Sequence, residues 1–244
     1  MNDTLRLLHA RKSTRAFEDR DIPDDVQQAI LLAAAQAPTA GNQQLYTILR
    51  ITDQALKERL AVTCDNQPFI AEAKLVLIFC ADCRKWYDSF LAAGTQPRQP
   101  GAGDLLLAVS DANIAAQNAV MAAESLGVGS CYIGDIMENA ELHREMLHLP
   151  RYVFPAAMLV FGYPTRQQQE RVKPARADMR HIVHDNGYRL MDGDELQELF
   201  SPKAGQRTYE EWMDAFCKRK YNSDFSREMT RSVSEYFRDF QSEN

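Results

Sequence analysis

The stretch AKLVLIFCA at residues 73–81 is apolar at almost every position. A strand with one wet face alternates in polarity, whereas a continuous apolar run of this length reads as a strand buried on both faces. A fold holding such a strand needs enough other apolar material to cover it. The chain has it: 45% of its residues are hydrophobic and 25% charged, a balance that argues against disorder. Its 244 residues suit one large domain or two small ones.

The neighbouring segments supply helices and further strands. NDTLRLLHA (2–10) predicts a short amphipathic helix capped by Asn2, Asp3 or Thr4, with Leu5, Leu7 and Leu8 available for burial. IPDDVQQAILLAAAQAP (22–38) predicts a second, with Pro23, Asp24 and Asp25 in its first turn and Val26, Ala29, Ile30 and Ala33 at helical spacing. LYTILRI (45–51) reads as a strand and DQALKERLAVT (53–63) as a helix. Residues 94–103 read as a loop, and 104–129 give the longest helical signal. The alanines of that helix permit close approach, either inside a core or at a subunit interface. SCYIGDI and AAMLVFGYP read as strands, and the tail from residue 206 reads as two helices of mixed charge. The order lacks a strict βαβ rhythm.

The formal net charge is −6 and the pI about 5.4, which opposes general nucleic-acid binding. No secretory signal is visible, and no apolar run is expected to reach the length of a membrane span. Five scattered cysteines do not form a disulfide framework. A soluble cytoplasmic protein with reduced thiols is expected.

Against this acidic background, RKSTR places Arg11, Lys12 and Arg15 around Ser13 and Thr14. Cations at a helix end offset its negative pole, worth about 0.3–1 kcal/mol when exposed, and composition alone favours that role. The same residues offer guanidinium forks and a hydroxyl, the donors a phosphate needs. APTAGNQQLY (37–46) is a small-residue loop that would let a flat ring approach the backbone, with Asn42 able to donate and accept. SLGVGSCYIGD (125–135) is neither GxGxxG nor a P-loop; helix termination explains its first glycines, whereas Gly134 follows a strand. Arg171, Lys173, Arg176 and Arg180 form a second basic stretch. Cys80 and Cys83 have redox spacing without the surrounding fold, and His181 and His184 point to opposite faces of an expected strand. No metal site, catalytic triad or carboxylate pair stands out.

Taken in order, RKSTRAF, APTAGNQQ, LGVGSCYIG, FGYP, KPAR and VHDNGY resemble the nitroreductase / flavin reductase family, most closely its NADPH-dependent oxygen-insensitive branch. The resemblance implies an α+β fold with a mixed central sheet flanked by helices, in an intertwined homodimer that holds FMN at the subunit interface. It implies one domain over 1–244, with 190–244 a variable C-terminal helical extension. Carried onto this sequence, Arg11 and Ser13 meet the FMN phosphate beside Lys12 and Thr14, and Arg15 lies nearer the ring. Thr39 and Asn42 belong to a loop that reaches the flavin from the partner subunit. Gln67 lies near the pyrimidine edge, and Tyr132, Ile133, Gly134 and Asp135 lie against the isoalloxazine. Lys173 and Arg176 form the second phosphate arm, and Lys203 and Arg207 take the NADPH phosphate. Two departures stand out: Asp135 replaces a second glycine, and Ala175 lengthens the usual KPR.

The implied activity is ping-pong. NADPH, or NADH, delivers hydride to flavin N5, and a flat electron-poor acceptor then receives it: a nitroaromatic, a quinone or a flavin. The chemistry resides in the cofactor, so no side chain need be a catalytic acid, base or nucleophile. A dedicated NADPH:flavin reductase, a flavin-dependent reductive dehalogenase and a non-catalytic flavin-binding module stay open as alternatives.

Overall fold

The computed structural model describes residues 1–241. It contains two compact units, one of Met1–Arg171 with the chain from Met229 onward, the other of Val172–Glu228. In the first unit the order is α1 (Asp3–Ala10), α2 (Asp24–Ala35), β1 (Tyr46–Ile51), α3 (Gln54–Thr63), α4 (Phe69–Glu72), β2 (Leu75–Asp82), α5 (Arg84–Ala92), α6 (Ala102–Ser125), β3 (Gly129–Ile133), α7 (Ala140–Met146), β4 (Val153–Gly162) and α8 (Arg166–Glu170). The second unit carries α9 (Gly193–Phe200), α10 (Tyr209–Lys220) and the start of α11 (Asp224–Arg238).

The sheet order is β1-β2-β4-β3. Central β2 is buried at every residue, as its unbroken apolar run requires, and so is its neighbour β4. Pro155 sits within β4, where it cannot donate to a ladder. The β2–β4 register shifts between Phe79 and Cys80 at that point, with Cys80 opposite Pro155. A bulge is where a central strand tolerates proline. All four strands pair antiparallel, so the expected mixed character is confined to one parallel bridge, Ser13 to Ser130.

α6 packs on the sheet and on α2. Its buried stripe includes Ala108, Ala112, Ala115, Ala116, Ala119 and Ala123, small enough to seat the helix close to the strands. At 24 residues it is long and apolar enough to cross a membrane by length and composition. That corrects the sequence expectation, and the buried stripe identifies it as the central core helix of this unit. Gly127 ends the turn after it at φ +75°, a left-handed conformation that favours glycine.

α1 departs from expectation differently. Asn2 caps it, accepting from the Leu5 amide at 3.0 Å, but none of its residues is buried within one chain. Leu5 and Leu8 remain exposed. From Met229 on, α11 belongs to the first unit and buries Ser232 and Tyr236; the Tyr236 ring meets Phe154 edge-on at 5.1 Å. Residues 179–181 form a single 3₁₀ turn rather than the expected strand, so the opposite-face argument for His181 and His184 does not apply.

Candidate functional site

The first basic segment leaves α1 at Arg11, whose amide closes the helix on the Leu7 carbonyl at 2.8 Å. The chain then runs extended along the edge of β3. Ser13 makes the parallel bridge to Ser130, and the Thr14 amide donates to the Ser130 carbonyl at 2.9 Å. Thr14 can lie there because Gly129 has no side chain: a Cβ at Gly129 would fall 2.5 Å from Thr14 Oγ1. Gly129 thus serves close packing, not helix termination.

Four long-range hydrogen bonds fix this segment. Lys12 Nζ donates to the carbonyls of Gln169 and Arg171. Arg171 Nη2 donates to the Ser13 carbonyl at 3.1 Å. The Arg15 amide donates to Gln168 Oε1 at 3.0 Å. Lys12 and Thr14 therefore hold the segment in place.

Arg11 differs from both. Its Nη1 is buried and has no hydrogen-bond partner. A buried charged donor left unpaired is costly, and an exposed helix-pole cation would not be placed so. Arg11, Ser13 and Arg15 converge on one strand position. Burial pushes the Cys131 thiol up, while Arg15, Ser13 and Arg11 pull it back. Burial likewise pushes the Tyr132 phenol up to about 12, and Arg11 opposes that shift.

Next along the chain, Ile133 is buried and Gly134 is exposed at the start of a 3₁₀ turn, Gly134–Met137. A Cβ on Gly134 would meet nothing within 4 Å. Unlike Gly129, this glycine faces open space, the surface a flat ring needs. Asp135 is half-buried in the same turn. The fully buried His143 holds the turn from behind: Nδ1 lies 3.0 Å from the Ile136 carbonyl and Nε2 lies 2.8 Å from Thr63 Oγ1. A carbonyl only accepts, so the proton belongs on Nδ1 and the Thr63 hydroxyl donates to Nε2. Burial keeps His143 below its ordinary pKa. Thr63 ends α3, which packs on this turn. Gln67 lies just beyond, donating from Nε2 to the Cys64 carbonyl at 2.8 Å. Gln67 and the 134–137 turn thus belong to one neighbourhood.

The loop of Thr39 and Asn42 is built on α6. Thr39 Oγ1 donates to Asp111, and the Ala40 and Leu45 amides donate to the same carboxylate at 2.9 and 3.1 Å. Asn42 itself is exposed, at φ +58°. Among the described residues, no hydrogen bond or ion pair joins this loop to residues 11–15 within one chain. Asp111 was not foreseen, since one acid in a long helix reads as part of a wet face.

In the second unit, Arg176 and Lys203 line one cavity of about 650 Å³ with Arg180 and His181. Lys203 also lines an adjacent cavity of about 340 Å³ with Arg207, Arg219, Trp212 and Phe216. Trp212 and Phe216 stack there at 4.9 Å. Lys203 and Arg207, the pair the resemblance assigns to NADPH, thus line one cavity, whereas Lys173 is half-buried outside both linings. Cys80 and Cys83 lie buried, and burial pushes each thiol up to about 12, which suits no redox role.

Comparison with known proteins agrees with this layout. The model of the Nitroreductase family matches residues 8–163. The oxygen-insensitive NADPH nitroreductase of Salmonella typhimurium is 34% identical over 221 residues, covering 88% of this chain and 89% of its own length. The FMN reductase [NAD(P)H] of Bacillus subtilis is 28% identical, with 97% and 92% covered. Among solved structures, NfrA2 of B. megaterium superposes with a TM-score of 0.86 at 27% identity over the whole of both chains. The NADPH:FMN oxidoreductase of Vibrio harveyi, complexed with NAD+, superposes at 0.83 with 25% identity over 97% and 98%. With the family's pattern running through the segments that build the Arg11 edge, the β3 strand and the core, the chain belongs to the nitroreductase family.

Proposed function

We propose that this chain is an NAD(P)H oxidoreductase that works through bound FMN, prefers NADPH and reduces flat electron-poor acceptors: nitroaromatics, quinones or flavins. The observation that carries this reading is the buried, unpartnered Nη1 of Arg11 beside Ser13. A phosphate monoester supplies the missing acceptor, and the Ser13 hydroxyl adds a second donor. The open face over Gly134 is compatible with the ring of the same ligand. The relatives named as FMN reductase and NADPH nitroreductase support both cofactor and co-substrate.

Each residue has a distinct task. Arg11 and Ser13 bind the phosphate, and Lys12 and Thr14 hold their segment against residues 129–130 and 169–171. Lys173 and Arg176 belong to the second basic stretch, which the family resemblance assigns to the same phosphate. Arg15 is the cation for the ring's electron-rich edge. Gln67 and the segment Tyr132–Asp135 orient the ring. Thr39 and Asn42 reach the flavin from a second copy of the chain. Lys203 and Arg207 hold the 2′-phosphate of NADPH, in a cavity where Arg219 adds a third cation. The bound flavin supplies the redox chemistry, hydride acceptance from a nicotinamide and delivery to an acceptor.

The assembly is a homodimer. No residue of α1 is fully buried within one chain, and Leu106, Leu107 and Ile114 stand exposed on α6. Such unpartnered apolar surface suits an interface with a second copy. The setting is the cytoplasm, in keeping with five free cysteines. The direct test is to titrate flavin-free protein with FMN and with riboflavin. FMN should bind about a hundredfold more tightly, since riboflavin lacks the phosphate that Arg11 awaits. Equal affinity for the two would refute the phosphate assignment.

A further inference from the structure

Loop 39–45 passes through left-handed backbone at three positions, one of which its sequence does not favour. Gly41, Asn42 and Gln44 all have left-handed backbone, at φ +56°, +58° and +49°. Glycine and asparagine tolerate that region, but for Gln44 it is unfavourable. The loop therefore needs outside support.

That support converges on one side chain. Asp111 is 2% exposed, on the buried side of α6. Its Oδ1 accepts from the Ala40 amide at 2.9 Å, and its Oδ2 accepts from Thr39 Oγ1 and from the Leu45 amide at 3.1 Å. The donors come from both ends of the loop. Thr39 Oγ1 in turn accepts from the Gln44 amide at 2.8 Å. α5 grips the outer side: Trp86 Nε1 donates to the Gln43 carbonyl at 2.8 Å, and Lys85 Nζ donates to the Gln44 carbonyl at 3.2 Å. With these contacts made, the backbone is fixed and the exposed Asn42 is left at the crest.

We infer that Asp111 is a positioning residue: its carboxylate locks loop 39–45 into a strained shape before flavin arrives, so that Asn42 is presented without an ordering cost at binding. This rests on the reading that the loop reaches the flavin. The strain is met when the chain folds, and a ligand entering a pre-formed loop retains more of its gross binding energy. An asparagine in place of Asp111 keeps the shape but has one acceptor oxygen, and its amide turns two donors toward the donors already there.

The test uses the intact chain with Asp111→Asn and, separately, Asn42→Ala. Amide exchange at Ala40 and Leu45 is followed without flavin, and FMN affinity by quenching of flavin fluorescence. For Asp111→Asn, exchange at both amides should accelerate, FMN affinity should fall about tenfold, and the visible spectrum of bound FMN should move toward that of free flavin. Asn42→Ala should weaken FMN while leaving the two amides protected. If Asp111→Asn frees the amides yet keeps wild-type FMN affinity and spectrum, while Asn42→Ala weakens binding, the loop meets flavin but Asp111 does not position it. If neither variant alters FMN affinity or spectrum, the loop does not meet flavin at all and the underlying reading fails. Should Asp111→Asn not fold, Thr39→Val removes one of the three donors to Asp111, together with the acceptor for the Gln44 amide. It should weaken FMN, and Thr39→Ser should restore wild-type affinity; equal affinities in all three would overturn the inference.

Discussion

The guanidinium of Arg171 donates to the main-chain carbonyl of Ser13 at 3.1 Å, across 158 positions of sequence. Lys12 Nζ returns the connection to the Arg171 carbonyl. The first basic stretch is thereby fastened to Arg171, the last residue of the Met1–Arg171 part of the first unit. The fastening uses Lys12 and Arg171, which leaves Arg11 as the cation without a partner for Nη1.

Arg11→Ala should therefore separate binding from stability. It removes a charge-assisted contact to phosphate, worth about 1.5–3 kcal/mol, so FMN affinity should fall roughly ten- to a hundredfold. The melting temperature of the flavin-free protein should hold or rise, because the buried unpaired donor is gone. Flavin-binding titration and thermal melts check the pair of effects; unchanged FMN affinity would remove Arg11 from the site.

Gly129 and Gly134, five positions apart, should respond in opposite ways. Gly129→Ala drives a methyl into Thr14, 2.5 Å from Oγ1 and 2.8 Å from Cβ. It should cost about 1–3 kcal/mol, an overpacking penalty that Thr14→Ala relieves in part in the double variant, since alanine keeps the Cβ. Gly134→Val meets nothing within 4 Å, so the flavin-free protein should lose less than about 0.5 kcal/mol. The same valine should abolish FMN binding by occupying the space above the strand end. Urea titrations and FMN titrations of both variants distinguish the two roles.

Lys203 and Arg207 share one cavity with Arg219. Replacing both Lys203 and Arg207 by alanine should raise KM for NADPH about tenfold or more and leave KM for NADH nearly unchanged, because only NADPH carries the extra phosphate. Steady-state kinetics with the two nicotinamides decide it. An equal effect on both would place the 2′-phosphate elsewhere.

His143 gives a pH dependence of definite sign. Burial lowers its pKa below the ordinary 6.5, despite opposing hydrogen bonds to Ile136 and Glu138. The unfolded chain takes up a proton near 6.5 and the folded chain resists until lower pH. Its contribution to stability is therefore complete above about 6.5 and is lost as pH falls from there toward the depressed folded value. Denaturant titrations near pH 7.5 and pH 5.5 should show a loss in the wild type that is smaller in His143→Gln.

What the sequence discloses follows from periodicity. Uniform apolar character marks β2, and alanine at helical spacing marks α6, because burial on two faces or along one stripe leaves a repeating trace. α5 leaves a weaker one: Trp86, Tyr87 and Phe90 alternate with charges over nine residues, and helix α9 is as brief. The basic segment at 11–15 is legible as cations, but not its division of labour. Lys12 is spent on main-chain carbonyls, which no residue identity encodes. The three donors gathered by Asp111 are likewise a product of folding, since two of them are backbone amides. Gly129 and Gly134 look alike in sequence, and only packing shows that one is crowded by Thr14 and the other is open.

The most direct measurement is the visible spectrum of the FMN-reconstituted protein under anaerobic addition of NADPH, followed by a quinone or nitroaromatic. The flavin band should bleach with about one equivalent of NADPH and return when the acceptor is added. A band that neither NADPH nor NADH alters would contradict the oxidoreductase assignment.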